Sequence, residues 1–295
     1  MKNRKAILVI AICFTAWLTV ILQYKLYKLA SADKGGRAAV LLTESDMFRS
    51  MNIDREAYDF IIGYARENSL DWAEVLTFYM LDNSFDLSGK KTGRYSVAEY
   101  FEKRRSLMKK YGEEWNEVNS AYRAVFADIK YFPVVESSTE YPVNVSFGDG
   151  WKSERYYNDV MHFHEGTDIM ANGHDRGYVP VVSMTEGVVE NIGWLELGGY
   201  RIGIRSPNGG YFYYAHLYRY AKDFKTGDTV RAGELIGFMG DSGYGRAEGT
   251  VGNFAVHLHL GIYIKTKNYE ELAVNPYAAL TFVENSRVKC RLYKE

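Results

Sequence analysis

The sequence predicts an α+β protein with an N-terminal transmembrane helix, a small all-α module, and a Gly-rich, mainly antiparallel β domain. Three observations carry that expectation. Residues 41–132 place apolar side chains at helical spacing; all five prolines and all but six of the 27 glycines lie beyond residue 132; and that second part consists of short β-prone runs. A chain of 295 residues has room for about two folded units.

The first element is apolar. From Ala6 to Leu22 there is no charge, and Lys2, Arg4 and Lys5 precede the run. About 17 apolar residues just suffice to span a bilayer, and the basic flank favours a cytoplasmic N-terminus. The expected location is therefore the cell membrane, single-pass, with the rest of the chain extracytoplasmic. Ala30-Ser31-Ala32 offers the competing reading of a cleaved signal peptide. The intervening QYKLYKL is longer and more basic than a cleavage region usually is. Residues 1–40 thus read as cytoplasmic tip, membrane anchor and linker.

Residues 41–132 read as four short helices packed together. Asp54 precedes REAYDFIIGYARE, in which Ala57, Phe60, Ile61 and Tyr64 recur at helical spacing. Asp71 and Glu74 form a capping-box pattern, and so do Ser96 and Glu99 ahead of a segment that stops at Gly112. A further helix is expected through EEWNEVNSAYRAVF. The charges of EKRRSLMKK fit a solvated helix face, and nothing in this stretch assembles a catalytic constellation.

Residues 133–285 form the second domain and 286–295 a tail. Runs such as YVPVVS, GVVENIGW, YRIGIR, YFYYAHL and ELIGFMG alternate with Gly, Asn and Asp, the signature of an antiparallel sheet. The 25 tyrosines suggest interface and groove material. A formal net charge of −1 leaves no electrostatic footprint for nucleic acid. Cys13 sits in the apolar run and Cys290 near the C-terminus, so no disulfide framework is expected.

All six histidines lie in the β-rich part, at 162, 164, 174, 216, 257 and 259. The sharpest local patterns are His164-Glu-Gly-Thr-Asp168 and His257-Leu-His259. Residues two apart in a strand share a face at about 7 Å, so one metal-sized site can meet both histidines of the second pattern. Imidazole and carboxylate are good zinc ligands, and three protein ligands with one position left to water is the usual catalytic arrangement. Either pattern alone arises by chance. Both, in order, in one Gly-rich β domain are far more specific.

From about Phe147 to Leu280 the chain resembles the lysostaphin/LytM-type M23 zinc metallopeptidases. The likeness rests on HEGTDI, VVSMTEGVV, YAHL with His216, GDTVRAGELIGFMGDSG, HLHL and NPYAAL. The resemblance implies one zinc ion held by His164, Asp168 and His259, with His216 and His257 off the metal and acting on water and the transition state. It also implies a zinc-dependent endopeptidase that hydrolyses peptide cross-bridges or stem peptides of bacterial peptidoglycan. The spacing alone does not separate His257 from His259. One departure stands before HLHL, where RAEGTVGNFAV replaces a short turn and alters the expected groove. His162 reads as a rim residue and His174 as a loop residue. GDTVRAGELIGFMG is also similar to a lipoyl carrier hairpin, but no lysine stands at a tip. The alternative function is a catalytically silent scaffold in a cell-division or sporulation complex; such relatives are expected to lack ligands, and here none of the five residues is missing. The helical module would be a spacer or a dock for a regulatory protein.

Overall fold

A computed structural model describes residues 41–89, 92–137 and 140–292. The run from Ala6 to Leu22, and with it the expected anchor, lies outside the described residues. Among those described, no helix is long and apolar enough to cross a membrane.

Among the described residues between 41 and 132, a 3-10 turn (Leu42–Glu44) and a one-turn helix (Asp46–Arg49) precede four longer helices: α1 (Arg55–Glu67), α2 (Trp72–Asp82), α3 (Val97–Tyr111) and α4 (Glu113–Phe126). Their starts follow from the capping residues. The Asp54 carboxylate accepts from the Ala57 amide at 2.8 Å, and Ser96 with Glu99 closes a reciprocal capping box. Asp71 accepts from the Glu74 amide at 3.0 Å, but that box is only half made. The Glu74 carboxylate turns away to Arg104 of α3, at 2.7 Å, tying two helices together. Gly112, at φ +58°, ends α3 and opens α4.

The second part is built on an antiparallel sheet of ten strands. Its principal members are β3 (Thr167–Met170), β4 (Pro180–Val182), β5 (Gly187–Leu195), β6 (Gly199–Arg205), β7 (Tyr211–Tyr220), β8 (Leu235–Met239), β9 (His257–Ile264) and β10 (Leu272–Val274). Across the sheet the order is β5, β6, β7, β9, β3, with β8 joining β7 to β4 and β10 edging β9. A separate hairpin, β1 (Glu154–Tyr157) and β2 (Val160–Phe163), stands beside the sheet. Asn158 and Asp159 turn it with positive φ at both positions, which suits a tight two-residue hairpin loop.

Period-two alternation sorts the sheet into two faces. Phe212, Tyr214, Leu258, Leu260, Ile262, Ile202 and Ile204 point into the core and are fully buried. Tyr211, Tyr213, Arg201 and His259 lie on the opposite face, where they line a cleft. The tyrosines are thus divided: Tyr79, Tyr100, Tyr122 and Tyr214 are core, while Tyr211, Tyr213 and Tyr263 form the cleft.

The change at residue 132 is one of secondary structure and not of contact. From Leu41 onward the chain forms one compact unit, and a single apolar cluster includes Phe48, Tyr122 and Phe126 from the helical part with Phe212, Leu260 and Leu280 from the β part. Tyr58 of α1 stacks on Phe282 of α5 (Tyr277–Val283), ring centroids 3.8 Å apart. Polar staples reinforce the seam. Arg49 Nε donates to the Ala273 carbonyl at 2.9 Å, its Nη2 meets Glu165 Oε1 at 2.5 Å, and its guanidinium lies over Trp151. The reason is amphipathic geometry: short helices with broad aromatic faces bury them only against a larger surface.

Because the Arg49 side chain is only 13% exposed and holds two partners across this seam, Arg49→Ala should lower the unfolding free energy by about 1.5–3 kcal/mol. Urea denaturation of the chain from residue 41 measures it. A loss under about 0.5 kcal/mol would mean that the seam is held by apolar contact alone.

Candidate metal centre

Register brings the sequence patterns together. On β9, His259 is the direct cross-strand partner of Asp168 on β3, and Ala215 of β7 flanks it on the other side. His164 lies just before β3 and folds back over Asp168. The outcome is a triangle of atoms that can each ligate a metal: His164 Nε2 to Asp168 Oδ1 is 3.0 Å, His164 Nε2 to His259 Nδ1 is 3.0 Å, and His259 Nδ1 to Asp168 Oδ1 is 3.1 Å.

These donors fit a cation. His164 Nδ1 is 3.0 Å from the Gly150 carbonyl oxygen, which can only accept, so the ring proton is on Nδ1 and Nε2 presents a lone pair. A lone pair 3.0 Å from a carboxylate oxygen is repulsive unless a positive charge lies between them. Zinc–nitrogen and zinc–oxygen bonds of about 2.0–2.1 Å in a tetrahedron put ligand atoms about 3.3 Å apart, close to the edges seen here. Asp168 divides its labour, with Oδ1 facing both imidazoles and Oδ2 accepting from Arg155 Nη2 at 3.0 Å.

The triangle sits where two halves of one cleft meet. One half, about 540 Å³, runs over Tyr213, Tyr211, Tyr263 and Arg201; the other, about 460 Å³, runs over Met170, Asn253 and Phe254. Residues 162–276 match the family model for peptidase family M23. A solved structure from Ruminococcus gnavus ATCC 29149, described as a candidate glycyl-glycine endopeptidase lytM, is 39% identical over 85% of this chain and 95% of its own, with a TM-score of 0.71. The chain belongs to peptidase family M23. A curated relative, the L-Ala–D-Glu endopeptidase of Bacillus subtilis (strain 168), is 44% identical over 144 residues. That match spans 48% of this chain and 40% of the relative's length.

Within this M23 domain two further histidines aim at the triangle. His257 Nδ1 donates to the Ala255 carbonyl at 2.7 Å, and His216 Nδ1 donates to the Ser242 carbonyl at 2.8 Å. Both therefore turn an Nε2 lone pair inward. Burial, chiefly, lowers the pKa of His257 and pushes that of His216 well below its ordinary value, so both are neutral at pH 7. Their rings are 4.7 Å apart by centroid, and His257 Nε2 is 3.6 Å from Asp168 Oδ1.

His216 needs a special backbone to take part. Alternation along β7 would send it to the core side with Phe212 and Tyr214. At φ +60° it adopts the left-handed conformation, and the register with β8 shifts just beyond it. That bulge turns the ring onto the cleft face, at a strain of about 1–2 kcal/mol.

The other histidines fall elsewhere. His162 lies on β2 at the rim of the larger half-cleft, and His174 sits in a loop, stacked on Tyr178 with Nε2 accepting from the Asn144 amide at 3.1 Å. The segment before HLHL, which departs from the M23 pattern, supplies a wall: Phe254 packs edge-on against His216 and His257 with centroids 4.6 and 5.1 Å away. Asp241 pins this segment by accepting from the Gly252 amide at 2.9 Å and pairing with Arg176 at 3.0 Å.

Several site residues escape sequence reading. The carbonyls of Gly150, Ser242 and Ala255 have no side-chain signature. Arg155 arrives on a hairpin whose pairing the sequence did not reveal. Arg201 was legible in principle, since YRIGIR alternates arginine with isoleucine. Glycine makes room for the aromatic floor: a Cβ on Gly198 would come 2.2 Å from Tyr213 Oη, and one on Gly203 would come 1.9 Å from Tyr211 Oη and 2.2 Å from its Cζ.

Tyr211 is 2% exposed and hydrogen-bonded by Asn191, so it has little freedom to move aside. Gly203→Ala should therefore destabilise the domain by about 1–3 kcal/mol through overpacking. Gly63→Ala, where an added Cβ meets nothing within 4 Å in the interior of α1, should be neutral or stabilising by up to about 1 kcal/mol. Thermal unfolding of the two variants side by side checks the contrast.

Proposed function

We propose that this M23 domain is a zinc-dependent endopeptidase acting on the peptides of bacterial peptidoglycan. The observation that carries the reading is the convergence of three potential ligand atoms at 3.0–3.1 Å in mid-cleft, with two neutral imidazoles turned to the same point. His164, Asp168 and His259 would hold the ion. Zinc supplies Lewis acidity, lowering the pKa of water towards ~7 and polarising a carbonyl.

The remaining work falls to side chains. Amide hydrolysis needs a base to take a proton from water, a donor to the developing oxyanion, and a proton for the leaving nitrogen. His216 and His257, fixed through Nδ1 to backbone carbonyls, each offer Nε2 for these transfers. The imidazole that accepts the water proton becomes imidazolium and returns that proton to the departing amine as the C–N bond breaks. The named substrate of the B. subtilis relative supports an L-Ala–D-Glu bond in the stem peptide, and the name of the R. gnavus structure supports a Gly–Gly bridge. We also propose that the run from Ala6 to Leu22 anchors the enzyme, with the peptidase facing the wall, on the strength of its uncharged length and basic flank.

Mass analysis of peptides released from purified sacculi tests the activity, and an intact wall would overturn it. His164→Ala, Asp168→Ala and His259→Ala should each lose bound metal by elemental analysis, because two donors are too few to hold zinc tightly. Full occupancy in any one variant removes that residue from the ligand set.

His216→Ala and His257→Ala should retain metal and lose about 10²- to 10⁴-fold in turnover. Zinc content and rate are read on the same preparation. Near-normal turnover, or zinc and turnover lost together, would assign that histidine to packing instead.

A further inference from the structure

Arg201 is a charged group without a counterpart. Its Nη1 is buried and has no hydrogen-bond partner, and Arg201 takes part in none of the ion pairs among the described residues. Its neighbours differ. Arg155 pairs with Asp168 at 3.0 Å, and Arg205 is held by Glu190 at 2.6 and 2.8 Å. Two carboxylates share the half-cleft with Arg201. Glu165 is engaged by Arg49 at 2.5 Å, and Glu271 is exposed and lies farther than 4 Å from the Arg201 guanidinium.

Leaving a guanidinium nitrogen buried and unpaired is unfavourable, and such groups call for an explanation in a binding partner or in function. The setting supplies one. Arg201 projects from β6 onto the cleft face, opposite Ile202 and Ile204, and lines the larger half-cleft with Tyr211, Tyr213 and Tyr263. Tyr213 links it to the metal centre: the ring meets His259 edge-on, centroids 6.1 Å apart, and the charge of Arg201 acts on its hydroxyl. An anion bound by Arg201 would thus lie about one side chain from the triangle of His164, Asp168 and His259.

We propose that Arg201 is a specificity-determining residue that binds a free carboxylate of the peptide substrate, next to the scissile bond, in the tyrosine-floored half of the cleft. This rests on the peptidase reading above. The planar fork of arginine matches a carboxylate with two parallel hydrogen bonds, here through Nε and Nη2, since Nη1 is shut off from solvent, and one arginine answers one such group. A glutamate linked through its γ-carboxyl carries a free α-carboxylate beside its amide bond. A glycine bridge carries none. The inference therefore favours cleavage beside a γ-linked glutamate over cleavage within oligoglycine.

The test uses the full chain with two muropeptides bearing L-Ala-γ-D-Glu-L-Lys-D-Ala, one with the α-carboxyl of D-glutamate free and one with it as a carboxamide. The wild type should favour the free acid in kcat/KM by about 10- to 100-fold, the discrimination that one charge-assisted pair supports. Arg201→Gln should bring that ratio close to one, chiefly through KM for the acid, and Arg201→Lys should restore part of it. Zinc content and thermal midpoint, read on each variant, should match the wild type. Sacculi that are cut while both muropeptides turn over equally would overturn the inference alone. Sacculi left intact by the wild type would overturn the peptidase reading and the inference with it. A preference for the acid that survives in Arg201→Gln would assign the discrimination to another group.

Discussion

Three potential ligand atoms, one each from His164, Asp168 and His259, are held 3.0–3.1 Å apart, and the surrounding residues restrain each of them there. Rotation of any one would break the cluster. His164 is prevented by its Nδ1 bond to Gly150, and Asp168 by the pull of Arg155 on its second oxygen. His259 is prevented by its place between Asp168 and Ala215 in the sheet, where cross-strand register leaves little choice of direction. A site preorganised in this way could hold a cation with little reorganisation.

The braces extend beyond the sheet. The turn that carries the Gly150 carbonyl is held through Asp149, which accepts from Asn275 Nδ2 at 3.1 Å, and the same amide nitrogen reaches the Ser50 carbonyl at 3.2 Å. Asn275 opens the NPYAAL segment, so a motif remote from the histidines in sequence fixes one of them through two intermediates. Arg49 does similar work by tying the residue after His164 to the β10 edge. The helical segment is therefore structural support for the site, and its burial against α5 explains why the composition break at residue 132 coincides with no gap in packing. Local strain at His216, of order 1–2 kcal/mol, is offset by the Ser242 bond and by the aromatic contacts of Phe254.

What was legible in the sequence follows from which signals are periodic. His257 and His259 share a face because strands alternate with period two, and helix starts were readable because Asp54 and Ser96 are caps with fixed offsets. His216 was visible as a residue, but its direction was not, since the same alternation aims it into the core and only the left-handed bulge reverses that. Glu74 shows the converse failure: a correct local pattern was half overridden by Arg104, a tertiary partner 30 residues away. The hairpin from Glu154 to Phe163 was missed because its residues show no buried face, with Tyr156, Val160, Met161 and Phe163 all exposed. Without burial there is no alternation to read.

The two half-cleft surfaces differ in kind, and this bears on how one fold serves different peptides. Asp168, His216, His257 and His259 stand on β3, β7 and β9, strands paired on both sides, and His164 lies just before β3. The walls of the cleft also draw on the hairpin and on the segment between Asp241 and Ala255, which lie outside the sheet, and on Arg201 of β6, which is paired on both sides within it. Arg201 makes no hydrogen bond or ion pair with His164, Asp168 or His259, so its side chain can change without breaking a bond to any of them, whereas Tyr213 packs edge-on against His259. Phe254 stands on a loop pinned by Asp241 and not by the sheet. The hairpin and the loop that carries Phe254 can therefore change with less cost to the sheet than the strands that hold Asp168, His216 and His259, because loop positions are not fixed by cross-strand register.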